Sequence, residues 1–198
     1  LPLDDKKPEN KQPTPMPYQP AKKEPEKSSP EISVDNSART LATNNEFIDC
    51  GSRSPANPVI RTVKISIINV NTAYNLLAFE DHPLSQNIQS SDATIPDTTC
   101  DNGQCSEINE SQWISNLTYG YGFRCDNLNG SACFGFQTDK DYRQFSDTSK
   151  NEQPQSILAQ DDLHKQNESQ ITFKLNLTGT QKPGNYNNSV TFIATPNY

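Results

Sequence analysis

The chain has 198 residues, of which only 31% are hydrophobic, and it carries a formal net charge of -7. So polar a composition excludes a large globular core and suits a thin β-sandwich whose strands each bury one face. The negative charge argues against nucleic acid as a partner, because a nucleic-acid groove needs a basic surface. No run of 18 apolar residues occurs, so we expect membrane attachment only through a segment that precedes this chain.

Residues 1–31 form a separate compositional region. Eight of the 15 prolines lie here among Lys, Glu and Gln, and six acidic residues balance six basic ones. Proline favours an extended polyproline conformation, so the pattern predicts a linker or arm that spans roughly 90 Å at about 3.1 Å per residue. It would be either a stalk that displays a domain or an arm that packs on a neighbouring subunit. Because the chain starts with Leu1, we expect a processed form that has lost a signal peptide or an anchor.

Residues 32–198 are predicted to form one β-sandwich domain. Its first clear strand is VIRTVKISIIN (59–69), in which alternate side chains are apolar, and AYNLLAF (73–79) follows after a short turn. Period-two alternation interrupted by a short polar turn is typical of a β-hairpin. We therefore expect these two strands to pair with each other.

Residues 80–160 carry four of the five cysteines and the only tryptophan, and we interpret them as an elaboration of the sandwich. The segments WISNLTYGYGF (113–123) and ACFGF (132–136) are predicted strands, and residues 156–159 form a shorter one. The segment DKDYRQFSD (139–147) is predicted to form one helical turn, because its two aromatic side chains are three residues apart.

The cysteine spacing favours disulfides. The pairs Cys100/Cys105 and Cys125/Cys133 each enclose an Asn-Gly loop, which turns the chain tightly and can bring the sulfurs within bridging distance. Crossed pairing between the two loops is an alternative, and zinc is a weaker one, because these spacings match neither zinc ribbons nor zinc fingers. Disulfides imply an oxidising compartment. Cys50 is left over, as an unpaired thiol or as the source of an intermolecular bridge.

The last 29 residues contain two further alternating runs, at 171–177 and 186–194, which flank the turn residues 182–184. Both runs place β-branched and aromatic side chains on one face, so they predict a closing hairpin. Short strands and frequent turns, with no convincing amphipathic helix, indicate an all-β fold. We predict an antiparallel immunoglobulin-like β-sandwich of about seven to nine strands, with a disulfide-stapled insertion and an extended Pro-rich arm.

The sequence contains no residue pattern typical of catalysis. His82 and His164 each stand beside acidic residues, but no GxSxG elbow or catalytic-cysteine signature accompanies them. Surface histidines near acids are common, so we predict a protein that is not an enzyme and that uses no cofactor.

Two binding hypotheses follow from the residues of the insertion. Asp139 and Asp141 offer the oxygen ligands that calcium prefers, although they do not match an EF-hand loop, and the prediction is otherwise of no metal. Trp113, Tyr119 and Tyr121 are a candidate surface for stacking on sugar rings. The same aromatic spacing also suits simple core packing.

The ending LNLTGTQKPGNYNNSVTFIATPNY (175–198) resembles the closing segment of exported bacterial β-sandwich modules, which often reads G-x-Q-x-x-G-x-Y-x-x-x-V-T-Y/F-x-A-T-P. The WISNLTYGYGF segment is also similar to cell-surface proteins of candidate-phylum bacteria such as Saccharibacteria. In that family an N-terminal anchor is commonly followed by a Pro/Thr-rich linker and a β domain. The resemblance covers about a third of the chain and transfers no catalytic residue.

The expected function is that of a non-catalytic extracellular or cell-surface protein, either structural or adhesive. Its partners would be other copies of itself, in an envelope layer or filament, or other surface proteins. The alternative is a glycan-binding module that uses Trp113 and the neighbouring aromatic residues.

Overall fold

The computed structural model describes residues 31–33, 40–43, 48–55, 57–68, 73–86, 93–129, 132–160 and 167–196. Residues 1–30 of the predicted Pro-rich arm lie outside the described part of the chain, so the extended conformation of the arm stays a prediction. One 3-10 turn covers Thr148–Lys150. The strands within the described residues are β1 (Glu31–Ser33), β2 (Thr40–Thr43), β3 (Val59–Ile68), β4 (Tyr74–Glu80), β5 (Ser111–Gln112), β6 (Gly120–Asn129), β7 (Ala132–Cys133), β8 (Asp141–Tyr142), β9 (Gln155–Gln160), β10 (Asn167–Asn176) and β11 (Val190–Pro196).

These strands form two facing sheets and a small ribbon. Sheet A has the strand order β1-β2-β3-β10-β6, sheet B has the order β11-β4-β9-β7, and the ribbon pairs β5 with β8. All pairings between these strands are antiparallel. The predicted all-β, antiparallel sandwich with a disulfide-stapled insertion is therefore confirmed.

The hydrophobic core lies between the sheets, because each strand turns one face inward with a period of two. Along β4, the inward residues alternate with half-buried ones. The fully buried side chains of the core include Ile65, Ile67, Tyr74, Leu76, Phe123, Phe145, Ile157, Leu158 and Ile171.

Both predicted hairpins are wrong. β3 pairs with β10 and β2 in sheet A, whereas β4 pairs with β11 and β9 in sheet B. In the same way β10 lies in sheet A and β11 in sheet B. Each predicted hairpin is instead a connection that crosses from one sheet to the other, and this is how a sandwich buries the apolar faces of successive strands against each other.

The insertion supplies strands to both sheets. β6 joins sheet A, and β7 and β9 join sheet B. The Cys125–Cys133 disulfide, with an S–S distance of 2.03 Å, therefore links the two sheets at one side of the sandwich. The Cys100–Cys105 disulfide, at 2.15 Å, closes the loop before β5. These are the pairs that the loop spacing favours.

The same insertion covers the outer face of β10. Lys174 and Asn176 point away from the core, yet they are buried. Their polar groups are satisfied there, because they donate hydrogen bonds to the carbonyl groups of Trp113, Asn116 and Thr118. The polar outward face of β10 thus becomes an internal contact between sheet A and the loop 113–118, which follows β5.

Two local predictions in the insertion are also wrong. Residues 139–147 do not form the predicted helical turn around Tyr142 and Phe145: a turn at 139–140 leads into β8 and extended chain, and the 3-10 turn starts only after Asp147. The predicted strand 113–123 begins at Gly120, which has a φ of +129°. A Cβ atom at Gly120 would lie 2.7 Å from the Thr98 backbone, so glycine permits this close approach.

The disulfides indicate an oxidising compartment outside the cytosol. Among the described residues, no helix has both the length and the apolar character that crossing a bilayer requires.

Candidate functional site

A groove of about 1460 Å³ opens between the two sheets on the side of β11. Its walls include the segment 48–55, which precedes β3, the loop 181–189 and the inward face of β11. Six of the apolar side chains along it are only half-buried, and they pack against the core. They are Ile48, Leu84, Leu177, Tyr186, Val190 and Phe192.

β11 forms one edge of sheet B beside this groove. It pairs with β4 from Val190 to Pro196, and no described strand pairs with its other side. Natural edge strands are usually short, charged or covered, because free backbone N–H and C=O groups recruit other chains. β11 has seven residues and no charged side chain. By contrast β1 and β7 are short, and residues Asp97 and Arg143 form backbone bridges to β6.

Cys50 lies in the wall of this groove, is half-buried and forms no disulfide within the described residues. Burial raises the pKa of its thiol, although the charges of Arg61 and Arg53 oppose the effect. A thiol that keeps its proton is a poor nucleophile, and the half-buried side chain contributes apolar surface to the groove.

The predicted sugar-stacking surface is not formed. Trp113 is 1% exposed and Tyr121 is 6% exposed, and they belong to two separate buried clusters. Tyr121 packs on Phe173 in the main core, while Tyr119 is half-buried in the loop before β6. The rings share no exposed face on which a sugar could stack. The alternative interpretation, core packing, is the correct one for Trp113 and Tyr121.

Trp113 instead forms one side of an aromatic cage around Lys174. The Lys174 Nζ atom lies 4.5 Å from the centre of the Trp113 ring and 5.2 Å from that of Tyr142. It also donates a hydrogen bond of 2.5 Å to the Trp113 carbonyl oxygen. Burial lowers the pKa of Lys174 from 10.5 to about 8, and the negative charge of Asp101 only partly opposes this shift.

We expect the fluorescence of Trp113, the only tryptophan, to titrate with a midpoint near pH 8, because deprotonation removes a cation from its ring. Between about pH 8 and 10.5 the unfolded chain binds the proton and the folded chain does not, so the free energy of unfolding should rise with pH in this window. The Lys174→Met variant should lack the transition; an unchanged titration in that variant would show that another group causes it.

A second cluster lies where β4 ends. Glu80 and Asp147 are fully buried and form a backbone bridge, and Asp97 is held beside them by its bridge to Tyr121. One oxygen atom from each of the three carboxyl groups lies within 4.8 Å of the others. The Lys150 Nζ atom lies 3.1 Å from an oxygen of Asp97 and 3.0 Å from one of Asp147.

The carboxyl groups differ in their pKa values. Burial, together with the neighbouring negative charge of Asp97, raises the pKa of Glu80 to about 10. Burial also raises the pKa of Asp97, although Lys150 partly opposes it. For Asp147, hydrogen bonds from Ser149 and the contact with Lys150 outweigh burial and lower the pKa. Under neutral conditions Asp147 is therefore ionised, while Glu80 keeps a proton unless a cation replaces it.

The predicted calcium ligands are not in this cluster. Asp139 is exposed, and the buried Asp141 uses its Oδ2 atom to accept a hydrogen bond from the Thr138 amide. Neither belongs to a group of three potential metal ligands among the described residues. In the sequence, Glu80 was the one residue that could have indicated the cluster of three carboxyl groups. It occupies an inward position in the alternation of β4, where an apolar residue is expected.

His82 does not form a working pair with a nucleophile. Its Nδ1 atom lies 2.8 Å from the Pro83 carbonyl oxygen, which can only accept, so Nδ1 carries a proton. The Ser85 Oγ atom, 3.4 Å from the same nitrogen, therefore has no base there. His164 lies outside the described residues.

Comparison with models of known protein families, with curated proteins and with solved structures finds no match. The proposals below therefore rest on the residues and contacts of this chain.

Proposed function

We propose that this protein is a non-catalytic structural or adhesive subunit of an extracellular bacterial surface, and that its copies assemble by strand addition. The observation that carries the proposal is the uncharged edge of β11, whose outer side pairs with no described strand and which lies beside an apolar groove. An extended segment that pairs with a sheet edge gains backbone hydrogen bonds, and its alternate side chains can fill the groove. The two disulfides are consistent with an extracellular location.

The occupant we propose is the Pro-rich arm of a second copy. Its segment PTPMPY (13–18) alternates proline with Thr14, Met16 and Tyr18. In an extended strand, alternate residues direct their backbone N–H and C=O groups to the same edge. At one edge of this segment every residue is a proline, so that edge has no N–H donor. The other edge keeps the backbone N–H and C=O groups of Thr14, Met16 and Tyr18. Such a segment can pair on one side only, and this suits the outermost position beyond β11.

Side-chain direction supports the same placement. Residues whose backbone groups face the same edge of a strand also have their side chains on the same face. The side chains of Thr14, Met16 and Tyr18 would therefore point in the same direction. Met16 and Tyr18 would thus reach the apolar side chains of the groove. At about 3.1 Å per residue, thirty residues span roughly 90 Å. A domain of this size is only about 40 Å across, so the arm is long enough to reach a neighbouring copy.

The test uses sedimentation velocity on the full chain over a series of concentrations. We expect the full chain to associate, and we expect both deletion of residues 1–30 and the substitution Ile193→Lys to weaken association at least about tenfold. Ile193 is 41% exposed on β11, where a lysine would act as a charged edge residue. The matched control is Ile108→Lys, at a residue that is 67% exposed on the loop before β5 and does not line the groove, and it should associate as the unmodified chain does.

A full chain that stays monomeric at every concentration would overturn assembly through the arm. If the monomer nevertheless became less stable on deletion of residues 1–30, the arm would occupy the groove of its own chain. Equal loss of association in the Ile193→Lys and Ile108→Lys variants would show that general surface hydrophobicity, and not the β11 edge, drives the association.

A further inference from the structure

The three carboxyl groups near the end of β4 come from three different parts of the chain. Glu80 is the last residue of β4 in sheet B, and Asp97 lies in the segment that bridges to β6 of sheet A. Asp147 precedes the 3-10 turn and accepts hydrogen bonds from the amide and the hydroxyl of Ser149. Any group that binds all three carboxylates would therefore connect both sheets.

The charges of this cluster are not balanced. When all three carboxyl groups are ionised, the single ammonium of Lys150 leaves a formal charge of about -2 in a buried site, which is costly. Lys150 is itself half-exposed at the outer side, where it contacts Asp97 and Asp147. It has no ion pair with Glu80, whose Oε2 atom accepts a hydrogen bond of 2.6 Å from the Asn188 amide.

Three oxygen atoms in the cluster also have no hydrogen-bond partner among the described residues. The Oε1 atom of the fully buried Glu80 and the Oδ1 atom of Asp97 are both inaccessible and unpartnered. One oxygen atom of Glu80 lies within 4.8 Å of one of Asp97, and the proximity of the two carboxyl groups contributes to the raised pKa of Glu80. The Oδ2 atom of Asp147 has no hydrogen bond either, although it lies 3.0 Å from Lys150. Buried polar atoms in a native fold normally have a partner, so these oxygen atoms indicate either a bound ligand or a proton shared between carboxyl groups.

We propose that Glu80, Asp97 and Asp147 bind one hard divalent cation, for which calcium is the best fit. An all-oxygen set of carboxylates selects this class of ion, and calcium tolerates the irregular geometry that three separate segments provide. A divalent cation brings the formal charge of the cluster to zero, whereas a proton shared by Glu80 and Asp97 would leave it at about -1. The ion would clamp β4 of sheet B to the segment that borders β6 of sheet A.

The test titrates the full chain, freed of metal by a chelator, with calcium chloride and separately with magnesium chloride in a calorimeter. We expect calcium to bind with a Kd of about 10⁻⁴ to 10⁻³ M, the range of extracellular modules, and to raise Tm by a few degrees at about 10 mM. The Glu80→Gln and Asp97→Asn variants should bind at least about tenfold more weakly. Asp139→Asn, which removes an exposed carboxylate outside the cluster, is the matched control and should bind as the unmodified chain does.

Binding of magnesium alone, lost in the same two variants, would support the hard-cation site and identify its ion. If Glu80→Gln fails to fold, Asp97→Asn decides the result. The proposal is overturned if neither ion produces heat or a Tm shift in the unmodified chain, which is the result that a shared proton predicts. It is also overturned if binding persists unchanged in Asp97→Asn.

Discussion

Replacing Phe123 by alanine is expected to lower the free energy of unfolding by about 3–5 kcal/mol, the largest effect of any substitution considered for this protein. Phe123 is fully buried in β6, with its ring stacked on Phe145 at a centroid distance of 4.1 Å and edge-on to Phe136 at 5.6 Å. Truncation would remove the aromatic contacts and leave a cavity between the two sheets, where the surrounding strands cannot easily collapse.

Urea denaturation followed by circular dichroism would measure this effect, provided that the m-value stays constant. Phe134→Ala is the matched control, because it makes the same chemical change at a side chain that is 42% exposed. It should alter the free energy of unfolding by no more than about 0.5 kcal/mol. Equal losses in the two variants would contradict the placement of Phe123 at the centre of the core.

Removing the Cys125–Cys133 disulfide, by replacing both cysteines with alanine, is expected to lower the free energy of unfolding by about 2–4 kcal/mol. The bond closes a short loop in the unfolded chain and thereby limits its conformational freedom. In the folded chain it joins β6 of sheet A to β7 of sheet B, and the Cys125 side chain is buried in the core. The loss should therefore exceed the value expected for a surface cysteine pair.

Denaturant titration under non-reducing conditions measures this second effect. Cys50→Ala is the matched control, because it removes a half-buried thiol that forms no disulfide within the described residues. We expect that variant to change stability by less than about 1 kcal/mol. A double variant as stable as the unmodified chain would mean that the two sheets hold together without this bond.

The two proposals concern neighbouring regions of the sandwich. Strand addition uses the free edge of β11 and the groove beside it, while the cation would bind where β4 ends and the 3-10 turn begins. β11 pairs with β4 along its whole length, and Val190 lies opposite Glu80. An ion bound at Glu80 would therefore stabilise β4, the strand that pairs with the proposed docking edge. Each proposal can still fail without the other.

Local sequence patterns predicted where the strands lie better than they predicted which strands pair with each other. The alternation in residues 59–69, 73–79 and 156–159 marks real strands, and the spacing of the clustered cysteines indicates the pairs that form. The predicted hairpins failed because alternation shows which face of a strand is buried but not which strand lies beside it. That choice depends on the packing of distant segments, such as β10 against β3.

The candidate site was harder to predict for the same reason. Trp113 and Tyr121 look like one aromatic surface in the sequence, yet they belong to separate buried clusters. Glu80, Asp97 and Asp147 share no motif, because 17 and 50 residues separate them along the chain. Only the acid at an inward strand position, Glu80, was visible as an anomaly.

The amino-acid sequence by itself determined the all-β class, the disulfide chemistry and the low apolar content that a thin sandwich requires. Each of these depends on residue type and on contacts within a few positions, which period and spacing record directly. The tertiary structure alone decided the assignment of strands to sheets, the edge position of β11 among the described strands and the proximity of three carboxyl groups. These features arise from contacts between distant segments, and their free energies depend on burial, which no local pattern specifies.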